Sequence, residues 1–339
     1  MKHIHGLGLL SFAMIASAVL APIPVRAQDS SIELSIGGLV FKRHPSVSIE
    51  SQELTITSEQ IKARYRILNQ GQAPVTLTVS FPLPDIDLTD ADNIAIPTSD
   101  PLNPVGFETK IEGQSGSYNV IQRAFLGDKD VSQAVRDAGL PLIVSGGHQD
   151  RIARLSQSVR DRLLDDGLIQ NAGNDERGRQ LFGGTWIVKT SATREQVFLP
   201  GRPITIDHVY RTSLGISFDT VLRKALRDNR GMRAAVQRYR KDYCITDQFL
   251  AEIDKIAGTA EANAAQLQER RINYVLMTGA NSLASIKDFR LTVDQGSPGR
   301  LTSFCADNVK KISPTVFETR AKDFTPKRDL KILMVDRRK

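Results

Sequence analysis

The chain has little of what metal and thiol chemistry require. It contains two cysteines and five histidines among 339 residues. Only His44, His148 and His208 lie beyond the N-terminal segment, and no two of them have the spacing of metal ligands on one helix or strand. The sequence therefore gives no support to metal catalysis, and we expect neither a metal nor another cofactor.

Motifs for nucleotide binding and nucleophilic catalysis are also missing. The chain has no phosphate-binding loop, no dinucleotide glycine fingerprint and no Ser-x-x-Lys pair. Ser145-Gly146-Gly147 lacks the earlier glycine that a nucleophile elbow needs. These absences favour a non-catalytic protein.

Long apolar runs are absent except at the N-terminus. Lys2 precedes a mostly apolar run over residues 7–20, and Val25-Arg26-Ala27 has the small residues of a cleavage site. A membrane span needs about 20 predominantly apolar residues, and no later segment approaches one. We therefore predict a signal peptide over residues 1–27, a periplasmic location and no transmembrane segment.

The predicted location decides how the cysteines are interpreted. In an oxidising compartment two thiols are expected to pair, and only Cys244 with Cys305 is possible. The formal net charge of +7 is small for 339 residues, so it does not indicate nucleic acid as a partner. An envelope protein or a cell-wall polymer is the partner that we consider.

Alternation of apolar and polar residues dominates the first part of the chain. It predicts strands over residues 61–67 and 75–81, joined as a hairpin at Asn69-Gln70-Gly71-Gln72. Apolar residues at helical spacing over 131–138 and 152–164 predict two helices, and alternation returns at residues 186–188 and 204–210. We predict a β-sandwich-like domain over residues 28–216, with a helical insertion at about 118–182.

The last part of the chain mixes both patterns. An apolar stripe over residues 221–239, broken at Asn229-Arg230-Gly231, and a second one over 247–256 predict helices. Strand patterns follow at residues 272–276, 289–293, 316–319 and 330–334. Residues 217–339 are thus a predicted α+β domain with one disulfide, and the whole chain is predicted to be α+β with mostly antiparallel strands.

Four aspartates crowd the loop that follows Phe81-Pro82-Leu83-Pro84. Asp85, Asp87, Asp90 and Asp92 could hold calcium, since oxygen-rich loops do so. The spacing lacks the glycine and the distant glutamate of an EF-hand loop. A solvated acidic turn is the preferred interpretation.

Two histidines have alternative interpretations. His208 shares strand parity with Ile206 and Tyr210, which predicts a core-facing ring with one nitrogen hydrogen-bonded. His148 follows Gly146-Gly147 and is the better candidate for an exposed site. In a hydrolase, either histidine could be the base, with Asp207 or Asp150 nearby.

One segment of the chain is densely basic. An interfacial membrane helix could have this pattern, but a core-packed helix with a solvated basic face is the preferred interpretation. The basic residues are Arg223, Lys224, Arg227, Arg230, Arg233, Arg238, Arg240 and Lys241.

Several blocks in order resemble a known bacterial family of secreted proteins, which is catalogued as domain of unknown function 4424 (DUF4424). The blocks are Gly37-Gly38-Leu39-Val40-Phe41, Tyr65-x-x-x-Asn69, Phe81-Pro82-Leu83-Pro84-Asp85, Tyr243-Cys244-Ile245, Tyr274-Val275-Leu276-x-Thr278-Gly279-Ala280-Asn281, Ser303-Phe304-Cys305 and Phe324-Thr325-Pro326-x-x-Asp329-Leu330. The resemblance implies a periplasmic protein and carries over no catalytic residues.

The function that we predict is a non-catalytic periplasmic binding or envelope-associated interaction protein. The alternative is a periplasmic hydrolase that acts on cell-wall or ester substrates. Two groups are the candidate binding residues, although structural turns explain both equally well. They are Pro82, Pro84, Asp85 and Asp87 in the first part, and Thr278, Gly279, Ala280 and Asn281 in the second.

Overall fold

The computed structural model describes residues 33–90, 94–143, 148–258, 267–276 and 285–338. The predicted signal peptide and the candidate binding residues 278–281 lie outside these ranges. Strands predominate and are mostly antiparallel, so the predicted α+β class is confirmed. None of the helices in the described ranges combines the length and the apolar character that a membrane span requires.

The strands are numbered in chain order. They are β1 Ser35–Gly37, β2 Val40–Phe41, β3 Val47–Ile56, β4 Gln60–Asn69, β5 Val75–Pro82, β6 Ile86–Asp87, β7 Glu108–Ile111, β8 Gln114–Ser115, β9 Asn119–Leu126, β10 Lys129–Asp130, β11 Ile169–Asn174, β12 Gln180–Gly184, β13 Ile187–Phe198, β14 Ile204–Arg211, β15 Gly215–Phe218, β16 Leu267–Val275, β17 Ile286–Asp294, β18 Leu301–Phe304, β19 Lys310–Lys311, β20 Val316–Phe324 and β21 Leu330–Arg337.

The helices are short. They are α1 Ser132–Asp137, α2 His148–Ala153, α3 Gln157–Asp165, α4 Lys224–Arg227, α5 Arg233–Tyr243 and α6 Asp247–Ala257, with 3₁₀ turns at Leu88–Asp90 and Arg230–Met232. The predicted helix over 152–164 is therefore two helices, α2 and α3, because the chain is extended at Ser156. The predicted break near Asn229 is confirmed, since a 3₁₀ turn separates α4 from α5.

The largest sheet joins both ends of the chain. Its order is β19-β20-β17-β3-β4-β14-β7-β8, and β17 runs parallel to β3. In the five-stranded sheet, β1 pairs in parallel with β16. The predicted division between residues 216 and 217 therefore does not separate the sheets, because strands from both sides of it pair with each other.

The alternation of β4 has the predicted effect on burial. Ile61, Ala63, Tyr65 and Ile67 are buried, whereas the basic residues between them are exposed. These side chains belong to a core that also receives residues from the six-stranded sheet, in which β10-β9-β13-β5-β2 are in order and β6 also pairs with β13, and from the five-stranded sheet. The three sheets therefore enclose one core between them, as in a sandwich.

The predicted hairpin between β4 and β5 is wrong, because the two strands belong to different sheets. Strand β4 pairs with β3 and β14, whereas β5 pairs with β13 and β2. The buried side chain of Asn69 stabilises the crossing: its amide donates to the carbonyl oxygens of Ala73 and Phe198, and its oxygen accepts from the amide of Gly71. Asn69 and Gly71 do form a turn, but the residues of a turn do not decide which strand pairs with β4.

The region predicted as a helical insertion contains both helices and strands. Strand β9 belongs to the six-stranded sheet, and β11 and β12 form a separate hairpin. A second core lies under helices α1 to α3, around the fully buried Trp186. The indole Nε1 of Trp186 donates to the carbonyl oxygen of Leu142 at 2.9 Å, so the largest side chain of this core is also satisfied.

The predicted disulfide is confirmed. Cys244, just after α5, is bonded to Cys305, just after β18, with Cα atoms 5.1 Å apart. The bond closes α5 onto the edge strand of the five-stranded sheet.

We expect a Cys244→Ala/Cys305→Ala double variant to lose about 4 kcal/mol of unfolding free energy, the chain-entropy figure for a loop of about 60 residues. Guanidinium unfolding of both proteins measures this loss. Alkylation before and after reduction, followed by mass spectrometry, provides the check on the wild type. Two thiols that alkylate without reductant would contradict the bond.

Candidate functional site

A cleft of about 420 Å³ opens beside α2, α3 and the hairpin β11/β12. Its volume is within the range of about 300–1,000 Å³ that is typical of small-molecule sites. The lining includes three guanidinium groups, two carboxylates and two side-chain amides, above an apolar floor. We call this the arginine cleft, after Arg154, Arg160 and Arg179.

The second core fixes the walls of the cleft. Ile152 on α2 and Leu163 on α3 are buried in this core, which turns the polar faces of both helices outward. Phe182 on β12 is also part of the core, and it lies at the base of the cleft. The helical periodicity of residues 152–164 is therefore what places the polar side chains in the cleft.

Arg160 is held in place by the end of α2. Its guanidinium donates to the carbonyl oxygen of Ala153 at 3.1 Å and also to that of Leu155. The same group lies 5.9 Å from the ring centroid of Phe182, within cation–π distance. These contacts fix the orientation of one positive charge at the cleft.

Arg179 is oriented from the opposite wall. Its Nε donates to one carboxylate oxygen of Asp175 at 2.6 Å, and the other oxygen accepts from the backbone amides of Arg177 and Arg179. These hydrogen bonds, together with the charge of Arg179, hold the pKa of Asp175 below its usual value. Arg154, by contrast, is exposed, and no ion pair of the described residues involves it.

The acceptors in the cleft are Asp150 and Asp161. Both side chains are exposed, and neither forms an ion pair with the cleft arginines within the described ranges. Gln157 and Gln180 add amides that can both donate and accept. The cleft thus presents donors and acceptors together, which suits a small polar ligand.

Blocks that resemble the known family meet elsewhere, in the main core. Gly38, Tyr65, Tyr274, Leu276 and Pro326 line one cavity there, although they are far apart in sequence. The cavity has a volume of about 20 Å³, which is room for one water molecule rather than a ligand. We conclude that these blocks hold the sheets together.

Gly38 is needed for this packing. The hydroxyl of Tyr65 accepts from the backbone amide of Leu39 at 3.1 Å. A Cβ at position 38 would lie 2.7 Å from that hydroxyl oxygen and 3.0 Å from the hydroxyl oxygen of Tyr274. Both rings are fully buried and cannot withdraw.

A Gly38→Ala variant should therefore lose about 1–3 kcal/mol of unfolding free energy, which is the usual cost of overpacking a core. Gly299→Ala is the matched control, because a Cβ there meets nothing within 4 Å. Urea unfolding of the two variants gives the comparison. Equal stability of both variants would show that the tyrosine pair is not close-packed against Gly38.

The blocks also indicated a family, and the comparison with known families tests that resemblance. Residues 27–333 match the family described as domain of unknown function 4424. The chain belongs to this family. The match covers nearly the whole chain and confirms the resemblance that the sequence blocks indicated.

Other comparisons give distant similarities for this DUF4424 member. No curated protein matches. A crystal structure from Legionella pneumophila subsp. pneumophila str. Philadelphia 1, provisionally described as a nutrient-binding protein, is 14% identical, with a TM-score of 0.45 over 91% of this chain and 72% of that chain. A substrate-bound variant of an M1 zinc metallopeptidase from Deinococcus radiodurans is 10% identical, with a TM-score of 0.22. This chain covers only 43% of that peptidase, and 86% of this chain is aligned.

His208 faces the core, as its strand parity predicts. It is 3% exposed and lies among aromatic rings, with centroids 4.9 Å from Phe107, 5.2 Å from Phe81 and 5.6 Å from Tyr65. Burial lowers its pKa to about 3. The expected ring hydrogen bond is not found at Nδ1, which has no partner among the described residues.

The hydrolase alternative fails for His208. Asp207 is its neighbour on β14, and successive side chains of a strand point to opposite faces. Asp207 instead accepts from the guanidinium of Arg64 on β4, at 2.6 Å. His208 and Asp207 therefore do not form the pair that this alternative would need. The side chain of His148 lies outside the described part of the structure, and its proposed partner Asp150 lines the arginine cleft.

The first group of candidate binding residues lies alongside strand β13. Pro82 ends β5, Pro84 is buried, and the amide of Leu83 between them donates to the carbonyl oxygen of Thr190. Asp87 accepts from the amide and hydroxyl of Thr89, which lies within the 3₁₀ turn Leu88–Asp90. These contacts give the prolines and Asp87 structural roles.

Asp85 is the exposed member of this group. Its carboxylate lies 3.8 Å from the ammonium group of Lys189 on β13. Within the described residues, no three acidic, histidine or cysteine side chains are grouped as a metal site. Asp92 lies outside the described residues, so the calcium hypothesis for this loop is not tested as a whole.

The basic segment has a core-packed side, in agreement with the preferred interpretation. Val236 and Tyr243 of α5 are buried. Arg223, Arg227 and Arg240 form ion pairs with Asp219, Asp254 and Asp247 at 2.9, 2.5 and 2.7 Å. The remaining exposed charges, among them Arg233 and Arg238, leave contact with an anionic membrane surface as a hypothesis.

No sequence pattern predicts the arginine cleft. Arg154 and Arg160 lie between the apolar residues of 152–164, a position that is typical of a solvated helix face. Arg179 comes from a hairpin that no pattern connects to those helices. The one signal in the sequence is the number of arginines on the polar side of residues 152–164. Such a number indicates a basic surface but cannot predict that the surface is concave.

Proposed function

We propose that this DUF4424 member is an exported, non-catalytic binding protein of the bacterial envelope that takes its ligand in the arginine cleft. The observation that carries the proposal is the cleft itself. It has the volume of a ligand site, and oriented donors from α3 and the hairpin converge in it with exposed acceptors.

Export is supported by two independent features. Residues 1–27 have the pattern of a cleavable signal peptide. The bond between Cys244 and Cys305 is of a kind that persists in oxidising compartments and is rare in the cytosol. The proposed location is the periplasm, and the proposed partner is an envelope protein or a cell-wall polymer.

The chemistry of the cleft favours binding over hydrolysis. Its described lining has no serine, cysteine or histidine that could act as a nucleophile or base. The carboxyl groups of Asp150 and Asp161 are exposed, whereas a carboxyl group that acts as a general acid near neutral pH is desolvated. We expect no release of soluble products from purified cell wall.

Crosslinking inside living cells tests the proposal. The tagged full-length chain is crosslinked, captured and analysed by mass spectrometry, and the mature N-terminus and the cell fraction are determined in the same experiment. We expect cleavage after Ala27, a periplasmic fraction and one specific envelope component in the capture. Retention in the cytoplasm, or recovery of the chain alone, would contradict the proposal.

A further inference from the structure

We infer that the ligand of the arginine cleft is a small acidic saccharide, in which one oxyanion is joined to several hydroxyl or acetamido groups. This inference rests on the proposed function, because it names the ligand class of the same site. The juxtaposition that carries it is a set of guanidinium groups and of carboxylates that form no ion pair within the described residues, on the walls of one cleft of about 420 Å³.

The arginines provide the oxyanion site. Arg160 uses one nitrogen for the carbonyl oxygens that fix it, and Arg179 uses its Nε for Asp175. The other guanidinium N–H groups of both residues have no partner among the described residues. Arg154 adds a complete set of guanidinium N–H donors. Guanidinium groups bind carboxylate or phosphate in a bidentate manner, with shorter and stronger hydrogen bonds than neutral donors make.

The carboxylates and side-chain amides of the cleft determine which groups the ligand needs besides its oxyanion. Asp150 and Asp161 are exposed in the cleft and form no described ion pair with its arginines. Carboxylates accept hydrogen bonds only, so they require hydroxyl or amide donors from the ligand. The amides of Gln157 and Gln180 can serve both a hydroxyl and an acetamido group.

The balance of charge excludes a simple multivalent anion. Asp175 neutralises Arg179, and the carboxylates of Asp150 and Asp161 oppose the charges of Arg154 and Arg160. A ligand with several negative charges would be repelled by the two exposed carboxylates. One oxyanion on a polyhydroxyl frame matches both sets of groups, and Leu164 with Phe182 offers apolar contact to C–H groups of a sugar.

Two sugars that differ by one carboxylate provide the test. N-acetylmuramic acid carries a lactyl carboxylate that N-acetylglucosamine lacks, and each is titrated into the purified mature chain by calorimetry or NMR. We expect the acidic sugar to bind at least about tenfold more tightly, as is typical for one charge-assisted contact. N-acetylglucosamine 6-phosphate distinguishes a carboxylate from a phosphate as the natural oxyanion.

Variants on the walls of the cleft locate the site. Arg154→Ala should reduce the preference for the acidic sugar by about tenfold, and Arg154→Lys should restore part of it. Arg151→Ala is the matched control, because Arg151 is an exposed arginine on α2, three residues before Arg154, and does not line the cleft. Thermal unfolding of each variant confirms that the fold is retained.

Several outcomes would overturn the inference. They are equal binding of the acidic and neutral sugars, no binding of any sugar, tighter binding of free glutamate, or an equal loss in the two alanine variants. If cleft positions still crosslink an envelope component in cells, the proposed function survives this failure. If those positions crosslink nothing, both the inference and the proposed function fail.

Discussion

Lowering the pH from 7 to 4 should cost the wild-type protein about 3 kcal/mol more unfolding free energy than it costs a His208→Phe variant. The folded-state pKa of His208 is about 3, because burial disfavours the charged imidazole. In the unfolded chain the pKa returns to its ordinary value near 6.5. Between these two values the unfolded state binds the extra proton, so stability falls as the pH falls.

The environment of His208 explains why the effect should be large. The ring is 3% exposed, and Phe81 and Phe107 contact it in edge-to-face geometry. Asp207 favours the charged form only weakly against this burial, since its carboxylate is bonded to Arg64. A phenylalanine keeps the ring contacts and removes the titration.

Urea unfolding of both proteins at intervals between pH 7 and pH 4 measures the difference. Other carboxyl groups titrate in both proteins, so the difference between the two curves isolates the histidine. Parallel curves would contradict the neutral, buried imidazole. An increase in the relative stability of the wild type at low pH would show that the imidazole is charged in the folded state.

Arg271→Met should cost about 3–5 kcal/mol, the usual penalty for breaking a buried ion pair from one side. The guanidinium of Arg271 lies 2.6 Å from a carboxylate oxygen of Glu269 and 3.2 Å from one of Glu33. Glu269 is 1% exposed, and its carboxylate also accepts from the hydroxyl of Tyr239 at 2.7 Å. Without the arginine, the negative charge of Glu269 remains uncompensated beneath α5.

A double variant separates lost charge from lost packing. Glu269→Gln keeps an acceptor for Tyr239 and removes the charge, so Glu269→Gln/Arg271→Met should be more stable than Arg271→Met alone. The coupling energy from guanidinium unfolding of the double-mutant cycle should exceed about 1 kcal/mol. Additive effects would mean that the pair does not interact, contrary to its geometry.

The sequence predicted the strands of this protein better than their partners. Alternation in residues 61–67 indicated the buried face of β4 correctly, because side-chain period depends only on local geometry. The pairing of β4 with β14 depends on contacts across more than a hundred residues, whereas β3 pairs with β4 as its neighbour in the chain. The chemistry at Asn69 is compatible with either a hairpin or a crossing between sheets. The parallel pairing of β3 with β17 has no local signal.

The candidate site was harder to predict than the fold. His208 was placed in the core from parity alone, and the disulfide followed from having two cysteines. The arginine cleft required the relative position of α3 and a hairpin, which no periodicity specifies. The prolines and Asp87 were recognised as notable residues, but their contacts are those of a strand end and a turn.

Site-specific photo-crosslinking in living cells tests the central claim most directly. A photoreactive residue replaces Gln157 or Gln180 in the cleft, and Gln114, exposed on β8 at the end of the eight-stranded sheet, is the matched control. We expect the same envelope component on both cleft positions and none on the control. Adducts at Gln114 alone, or equal adducts at all three positions, would contradict binding in the arginine cleft.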